Sequence, residues 1–292
     1  MPEIPTPFSI LKTLLPHLKV AAAYAREIQA RIAKLPDKTN ASANPFAAAL
    51  TDADLSVQTF VEVALLGCFP DLRFYGEEYE KSYNTKYFRA IDLGPTGDYL
   101  ITLDPIDGTR LYIDGHPNYQ IILSILNADD YEAVLAISPS LDIYYYALRG
   151  QGTFKGKLSE DDLEACQPLK LDSPKNTVLL GSRMSWLAKA LKVNYAVIDV
   201  AADYSQMRPT PNVNGILCGD LTGAAISAGK FIDGAALAFL AREAGYIVTL
   251  LDGSLPPPLH ICKDYQQPGL VIASSTQVHQ NLLDAVVRSR PS

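Results

Sequence analysis

The chain has 292 residues, 48% of them hydrophobic and 20% charged, with 25 Lys and Arg against 32 Asp and Glu for a net charge of −7. That length buries a substantial core in one large domain or two moderate ones. The cations are scattered rather than clustered, so there is no basic face for a nucleic-acid backbone and no nucleic-acid partner is expected. Four cysteines (Cys68, Cys166, Cys218, Cys262) and four histidines lie far apart with no C-x-x-C spacing, which argues against a disulfide framework or a zinc site. Lys12, Pro16 and Lys19 interrupt the apolar run that a leader would need, and no stretch reaches membrane-spanning length. The expected compartment is the cytoplasm, with no membrane partner.

In chain order, Leu11, Leu14, Leu15, Leu18, Ala22, Ala25 and Ile28 recur at the spacing of an amphipathic helix over residues 8–34, with Pro16 bending it near its start. The polar segment PDKTNASANP then reads as a loop before a second helix over about 52–67. Strand-length apolar runs follow: LRFYG, YLITLD, YQIILSIL, EAVLAIS, DIYYYAL, TVLLGS, YAVIDV and GLVIASS. Helical patterns are assigned to about 214–229, 234–244 and 276–288. The run of adjacent strands between about 119 and 156 predicts antiparallel hairpins. Nothing resembles a linker between independent domains, so two intimately packed lobes are expected, 1–150 and 151–292.

The most informative stretch is LDPIDGTRLY, residues 103–112. On a regular strand, side chains three residues apart point to opposite faces, so Asp104 and Asp107 share a site only if the backbone turns between them. Pro105 removes a ladder donor and favours that turn, and Gly108 lets backbone approach a ligand closely. Converging carboxylates repel and call for a proton or a cation. A hard divalent ion such as Mg²⁺, which takes oxygen ligands and retains waters or binds phosphate, resolves the repulsion. The competing reading is a surface turn in which the two acids cap backbone amides. Further acids add to the pattern: Glu77 and Glu78 after RFYG, and Asp52 and Asp54 at a helix start, each explicable alone as a cap or a solvated charge.

Taken together, GEE, then DPIDGT, then an aspartate opening an apolar helix that ends in EAG, resembles the inositol monophosphatase family of metal-dependent, lithium-sensitive sugar phosphatases, which includes archaeal-type fructose-1,6-bisphosphatases. The resemblance runs from about residue 10 to 285 and takes in LRGQGTFKGK and VIASSTQVHQNLLDAV. It implies an α+β, layered α/β/α/β/α sugar-phosphatase fold with mixed sheets. It also implies two or three Mg²⁺ ions held by Glu77, Asp104, the carbonyl of Ile106, Asp107 and Asp233, the last found by counting back from Glu243. Thr109 and Asp54 would orient the attacking water, Gly108 and Thr109 would offer amides to phosphate, and Glu78 would support the site. Most metal ligands then fall in the first lobe, and the last ligand with much of the substrate pocket falls in the second. A small phosphorylated metabolite is the implied partner, and a homodimer the implied assembly.

The departures from the pattern are specific. Ile232 stands where the family has tryptophan, and Tyr246 where a second glycine is common. The family places a further strand and loop between the helix matching 214–229 and the last aspartate, whereas only KFI separates Gly229 from Asp233 here. That predicts an altered substrate wall, for which Asp203, Tyr204 and Arg208 in VAADYSQMRPTPN are candidates, with Arg208 binding an anionic substituent. Lys38 is the candidate for the family's loop lysine, and Asp220, read as a helix-start acid, competes with Asp233. A dehalogenase-type aspartyl nucleophile does not fit, because two residues separate the acids of DPID. A catalytically silent metal-binding or regulatory protein on the same fold is the alternative. Retention of Glu77, Asp104, Asp107, Thr109 and Asp233 argues against it.

Overall fold

The computed structural model describes residues 4–32, 50–78, 98–160, 162–170, 173–205 and 211–289. Among these are seven α-helices and twelve strands in two mixed sheets, the α+β class expected. The chain divides into two compact units. One comprises Met1–Leu148 with Phe154–Gln167, the other Arg149–Thr153 with Pro168–Ser292.

The first unit opens with α1 (Pro7–Ile28), entered through Thr6, whose Oγ1 accepts the Ser9 amide at 3.1 Å, and through Pro7, which needs no amide partner in the first turn. The helix continues through Pro16, and a 3₁₀ turn, Gln29–Arg31, closes it sooner than expected. Helix α2 (Asp52–Cys68) starts at a capping box in which Thr51 and Asp54 bond reciprocally. These helices cover one face of a seven-stranded sheet in the order β1 (Arg73–Gly76), β2 (Leu100–Asp107), β3 (Gln120–Leu126), β4 (Tyr131–Ser138), β5 (Ile143–Leu148), β6 (Gly152–Lys157) and β7 (Gln167–Pro168). β1 runs parallel to β2, and β2 to β5 form an antiparallel meander. The register aligns Leu103, Leu123, Leu135 and Tyr146 in one row across four strands. All four are buried, in one core with Leu14 and Leu18 of α1 and Val57 and Val61 of α2. Period-two alternation puts Thr102 and Asp104 on the other face. Between β2 and β3 lies α3 (Thr109–Ile113), a single turn entered through Gly108.

The second unit holds a five-stranded sheet of β8 (Thr177–Leu180), β9 (Ala196–Asp199), β10 (Gly223–Lys230), β11 (Ile247–Leu250) and β12 (Gln266–Ala273), ordered β11-β12-β10-β8-β9. Its helices are α4 (Ala188–Leu191), α5 (Val200–Asp203), α6 (Gly234–Glu243) and α7 (Thr276–Ser289). Every residue of α6 from Ala235 to Ala241 is buried, so the helix is apolar all round, as a fully enclosed helix must be.

Here the structure corrects a helix assignment. Residues 214–229 form not a helix but a 3₁₀ turn, Val213–Ile216, followed by the central strand β10. Four glycines in that run weaken a helix. The two that lie in the strand fit close neighbours instead: a Cβ on Gly223 would lie 2.9 Å from the Ile272 carbonyl oxygen, and one on Gly229 would lie 2.8 Å from Leu270 Cδ1. A strand therefore does precede Asp233, so the altered substrate wall expected from a missing strand is not supported. Asp220 likewise opens no helix. It lies in the turn before β10 and pairs with Lys175 Nζ at 2.6 Å. Strand β11 and the two-residue β7 were not anticipated.

Candidate active site

The two aspartates of DPID sit on a β-bulge. Asp104 pairs with Ile122 and Asp107 with Gln120, so β2 advances three residues while β3 advances two. The inserted residue restores the equivalent of a two-residue spacing, which brings both acids to one face. Pro105 sits inside the bulge, where no ladder donor is needed. The Ile106 amide donates to Asp104 Oδ1 at 3.1 Å, so Asp104 also caps the turn. Asp104 is buried.

Gly108 ends the bulge in the left-handed region, φ 85° and ψ 37°, a conformation that costs a residue with a Cβ about 1–2 kcal/mol. This reversal carries Thr109 back over the bulge. Its hydroxyl lies 2.9 Å from the Ile106 carbonyl oxygen and 3.1 Å from Asp54 Oδ1. Both are acceptors, so the single hydroxyl proton is shared between them and the oxygen lone pairs remain to accept a proton from elsewhere. Asp54 is fully buried, and its Oδ2 takes the Thr51 amide at 2.8 Å and the Thr51 hydroxyl at 2.5 Å. All three groups donate to it. Beside it, burial above all, then Tyr119 and Asp54, pushes the Tyr112 phenol well above its ordinary pKa. Tyr112 donates to the Ala25 carbonyl at 2.7 Å and anchors α3 to α1.

Glu77 follows β1. Gly76 pairs with Leu103 in the parallel ladder, so the next residues along the two strands are Glu77 and Asp104, and the Glu77 amide donates to the Leu103 carbonyl at 3.1 Å. The Glu78 amide donates to Gln58 Oε1 at 2.8 Å. Asp107 Oδ2 accepts from Gln120 Nε2 at 2.7 Å. Arg110 is turned along α3 to Asp114, 2.9 Å away.

Asp233, in the second unit, is the N-cap of α6, its carboxylate accepting the Gly234 amide, and lies 3.7 Å from Lys230 Nζ. Glu243, at the other end of α6, takes the Gly150 amide at 2.9 Å, which ties the EAG motif to the turn of LRGQG. Tyr246 fills the position of the family's second glycine and donates to the Ile216 carbonyl at 2.8 Å. Asp203 Oδ2 accepts the Asp199 amide at 2.8 Å, a local cap. Arg208 and Lys38 lie outside the described residues.

The donors of Glu77, Asp104, Asp107 and the Ile106 carbonyl are all hard oxygens, and two of the carboxylates meet on one bulge, which fits a hard divalent cation. Among the described residues, no three Asp, Glu, His or Cys side chains stand close enough to hold a metal ion on their own. Three supporting residues escaped the sequence reading: Thr51, Gln58 and Gln120. Thr51 was legible as the first residue of a capping box and Gln58 as one helical turn beyond Asp54. Gln120 depends on register alone.

Comparison with known proteins bears out the family resemblance. Residues 11–291 match the model of the inositol monophosphatase family. The chain is 24% identical over 272 residues, 91% of its length and 95% of the relative's, to a protein of Neisseria meningitidis serogroup A named putative Nus factor SuhB. It is 29% identical over 124 residues, 40% of its length and 43% of the relative's, to a fructose-1,6-bisphosphatase/inositol-1-monophosphatase of Thermotoga maritima. In fold it is similar to the solved structure of a Thermotoga maritima IMPase, with a TM-score of 0.71 at 17% identity over 96% of this chain and 97% of that one. A staphylococcal IMPase solved with its products gives 0.68 at 19% identity over 97% and 96%. The chain belongs to the inositol monophosphatase family of metal-dependent phosphatases.

Proposed function

We propose that the chain is a Mg²⁺-dependent phosphatase that hydrolyses a small phosphate monoester (a sugar, inositol or nucleotide phosphate) by attack of an activated water. The observation that carries this reading is the Thr109 hydroxyl held between Asp54 Oδ1 and the Ile106 carbonyl, beside the two acids of the bulge. Glu77, Asp104, Asp107, the Ile106 carbonyl and Asp233 would hold two or three Mg²⁺ ions. When bound, such ions neutralise phosphate oxygens, lower the pKa of a coordinated water and stabilise a leaving alkoxide.

The chain's own part is positioning and proton handling. Thr109, with its proton committed to Asp54 or Ile106, accepts a proton from a water and so aims the opposite lone pair at phosphorus. Buried Asp54 receives that proton through Thr109. The backbone amides at Gly108 and Thr109 bind a phosphate oxygen. No protein nucleophile is needed, because phosphoryl transfer gains chiefly from positioning and charge stabilisation. The working form is a cytoplasmic homodimer.

The test is phosphate release from inositol monophosphate, fructose 1,6-bisphosphate and a 3′-phosphonucleotide, each with Mg²⁺ and with excess chelator. Release that needs Mg²⁺ and is inhibited by lithium supports the reading, and full activity in chelator overturns it. A single turnover in ¹⁸O-labelled water places label directly in phosphate, with no phosphorylated protein. A second reading, a role without catalysis, is favoured by one observation, the match over 91% of the chain to a relative named putative Nus factor. Absence of phosphate release from all three substrates supports it.

A further inference from the structure

We propose that two buried glutamines, Gln58 and Gln120, are the positioning residues that set the Mg²⁺ affinity of this site, Gln58 through its acceptor oxygen and Gln120 through its donor amide. The inference rests on the phosphatase reading above and adds what determines how tightly the acidic turn holds its ion.

Gln58 lies one turn beyond Asp54 on α2 and is fully buried. Its Oε1 receives the Glu78 amide at 2.8 Å, while the Glu77 amide is tied to the Leu103 carbonyl at 3.1 Å. Those two amides belong to the peptide planes on either side of the Glu77 Cα. Fixing both leaves only side-chain rotation to Glu77. Gly76 is part of the same arrangement, because a Cβ there would stand 2.3 Å from Gln58 Cδ. The amide of Gln58 lies against that bare Cα. Since α2 also carries Asp54, a single helix sets both the turn of Glu77 and the partner of Thr109. What position 58 must supply is an acceptor: Gln58 Nε2 is buried and makes no hydrogen bond among the described residues.

Gln120 does the opposite. It is fully buried, faces Asp107 across the bulge and donates from Nε2 to Asp107 Oδ2 at 2.7 Å. A carboxylate accepts only, so this contact needs a donor. A neutral amide orients the carboxylate without adding a positive charge that would compete with the cation, the usual service of a residue behind a metal ligand.

The same substitution therefore has opposite consequences at the two positions. Gln58→Glu keeps the acceptor, removes the unmet donor and sets its added charge against the Glu78 amide, whereas Gln120→Glu removes the donor and sets its added charge directly against the Asp107 carboxylate. The experiment is calorimetric titration of the full chain with Mg²⁺ alone, with thermal unfolding in chelator as the control for folding. Gln120→Glu, Gln120→Met and Gln58→Leu should each raise the Mg²⁺ dissociation constant about tenfold to a hundredfold, while Gln58→Glu should change it less than about tenfold. A structural role alone would lower the metal-free melting temperature and leave metal affinity in place. If Gln120→Glu does not fold in chelator, the uncharged Gln120→Met decides. Wild-type affinity in either folded Gln120 variant, or equal losses in Gln58→Glu and Gln58→Leu, overturns the proposal and leaves the phosphatase reading standing. A wild-type chain that takes up no Mg²⁺ overturns both.

Discussion

Thr109 Oγ1 and Asp54 Oδ1 are 3.1 Å apart although they lie 55 positions apart in sequence, and Asp54 is at the same time the last residue of the capping box that starts α2. One carboxylate thus caps a helix and anchors the hydroxyl proposed above to orient water.

Asp54→Asn separates these duties. The amide can still accept from Thr51 through its oxygen, but its NH₂ then faces Thr109 and occupies the hydroxyl as an acceptor. Turnover should fall by about a hundredfold or more, the scale of a lost general base, with a stability cost of about 1 kcal/mol from the weakened cap. Thr109→Ala should match the loss in turnover and Thr109→Ser should recover most of it. Steady-state rates with urea unfolding of each variant check this, and normal turnover in Asp54→Asn would falsify the relay.

Gly76→Ala should destabilise the first unit. The added Cβ at 2.3 Å displaces the Gln58 amide, and the Glu78 amide loses its acceptor. Leaving such a group without its partner costs about 1–3 kcal/mol. Combining it with Gln58→Ala, which makes room, should cost less than the two single losses added. The readout is the coupling energy of that double-mutant cycle, and strict additivity contradicts the contact.

The stability of the second unit should decline in mild acid because of His279. Its ring lies 2.8 Å from Thr249 Oγ1, and burial lowers its pKa from the ordinary 6.5. With the folded value below the unfolded one, the unfolded chain binds more protons between the two. The contribution is complete above about 6.5 and is lost as pH falls through the folded pKa. Urea midpoints measured from pH 8 down to pH 5 should fall in the wild type and fall less steeply in His279→Gln. Parallel curves would remove His279 from the account.

Tyr265→Gly should stabilise. Asp264 and Tyr265 both have φ 53°, in a turn where the Gln266 amide reaches the Lys263 carbonyl at 3.2 Å and the Tyr265 carbonyl receives the Phe231 amide at 3.0 Å. Tyrosine in that region is strained by about 1–2 kcal/mol, partly offset by the extra freedom of glycine in the unfolded chain, and its half-exposed ring has little burial to lose. A gain of about 1 kcal/mol in urea unfolding is expected, and a loss would mean that the ring contributes more than the strain costs.

What the sequence by itself determined was local. The leucine spacing of α1, the Thr51 and Asp54 box of α2 and the strand runs from β1 to β5 each carry their own periodicity or cap, so their elements were legible without partners. The turn inside DPID was legible too, because Pro105 and Gly108 restrict backbone angles wherever they occur. The tertiary structure decided what depends on neighbours. Residues 214–229 have helical spacing, yet β8 and β12 on either side demand a strand there, and only small residues let the three backbones approach. That the turn in DPID is a bulge follows from pairing with β3, which also puts Gln120 opposite Asp107. Thr109 meets Asp54 only because α2 packs on the sheet beside β2. Such pairs join residues tens of positions apart through register and packing, and no residue's own preferences encode them.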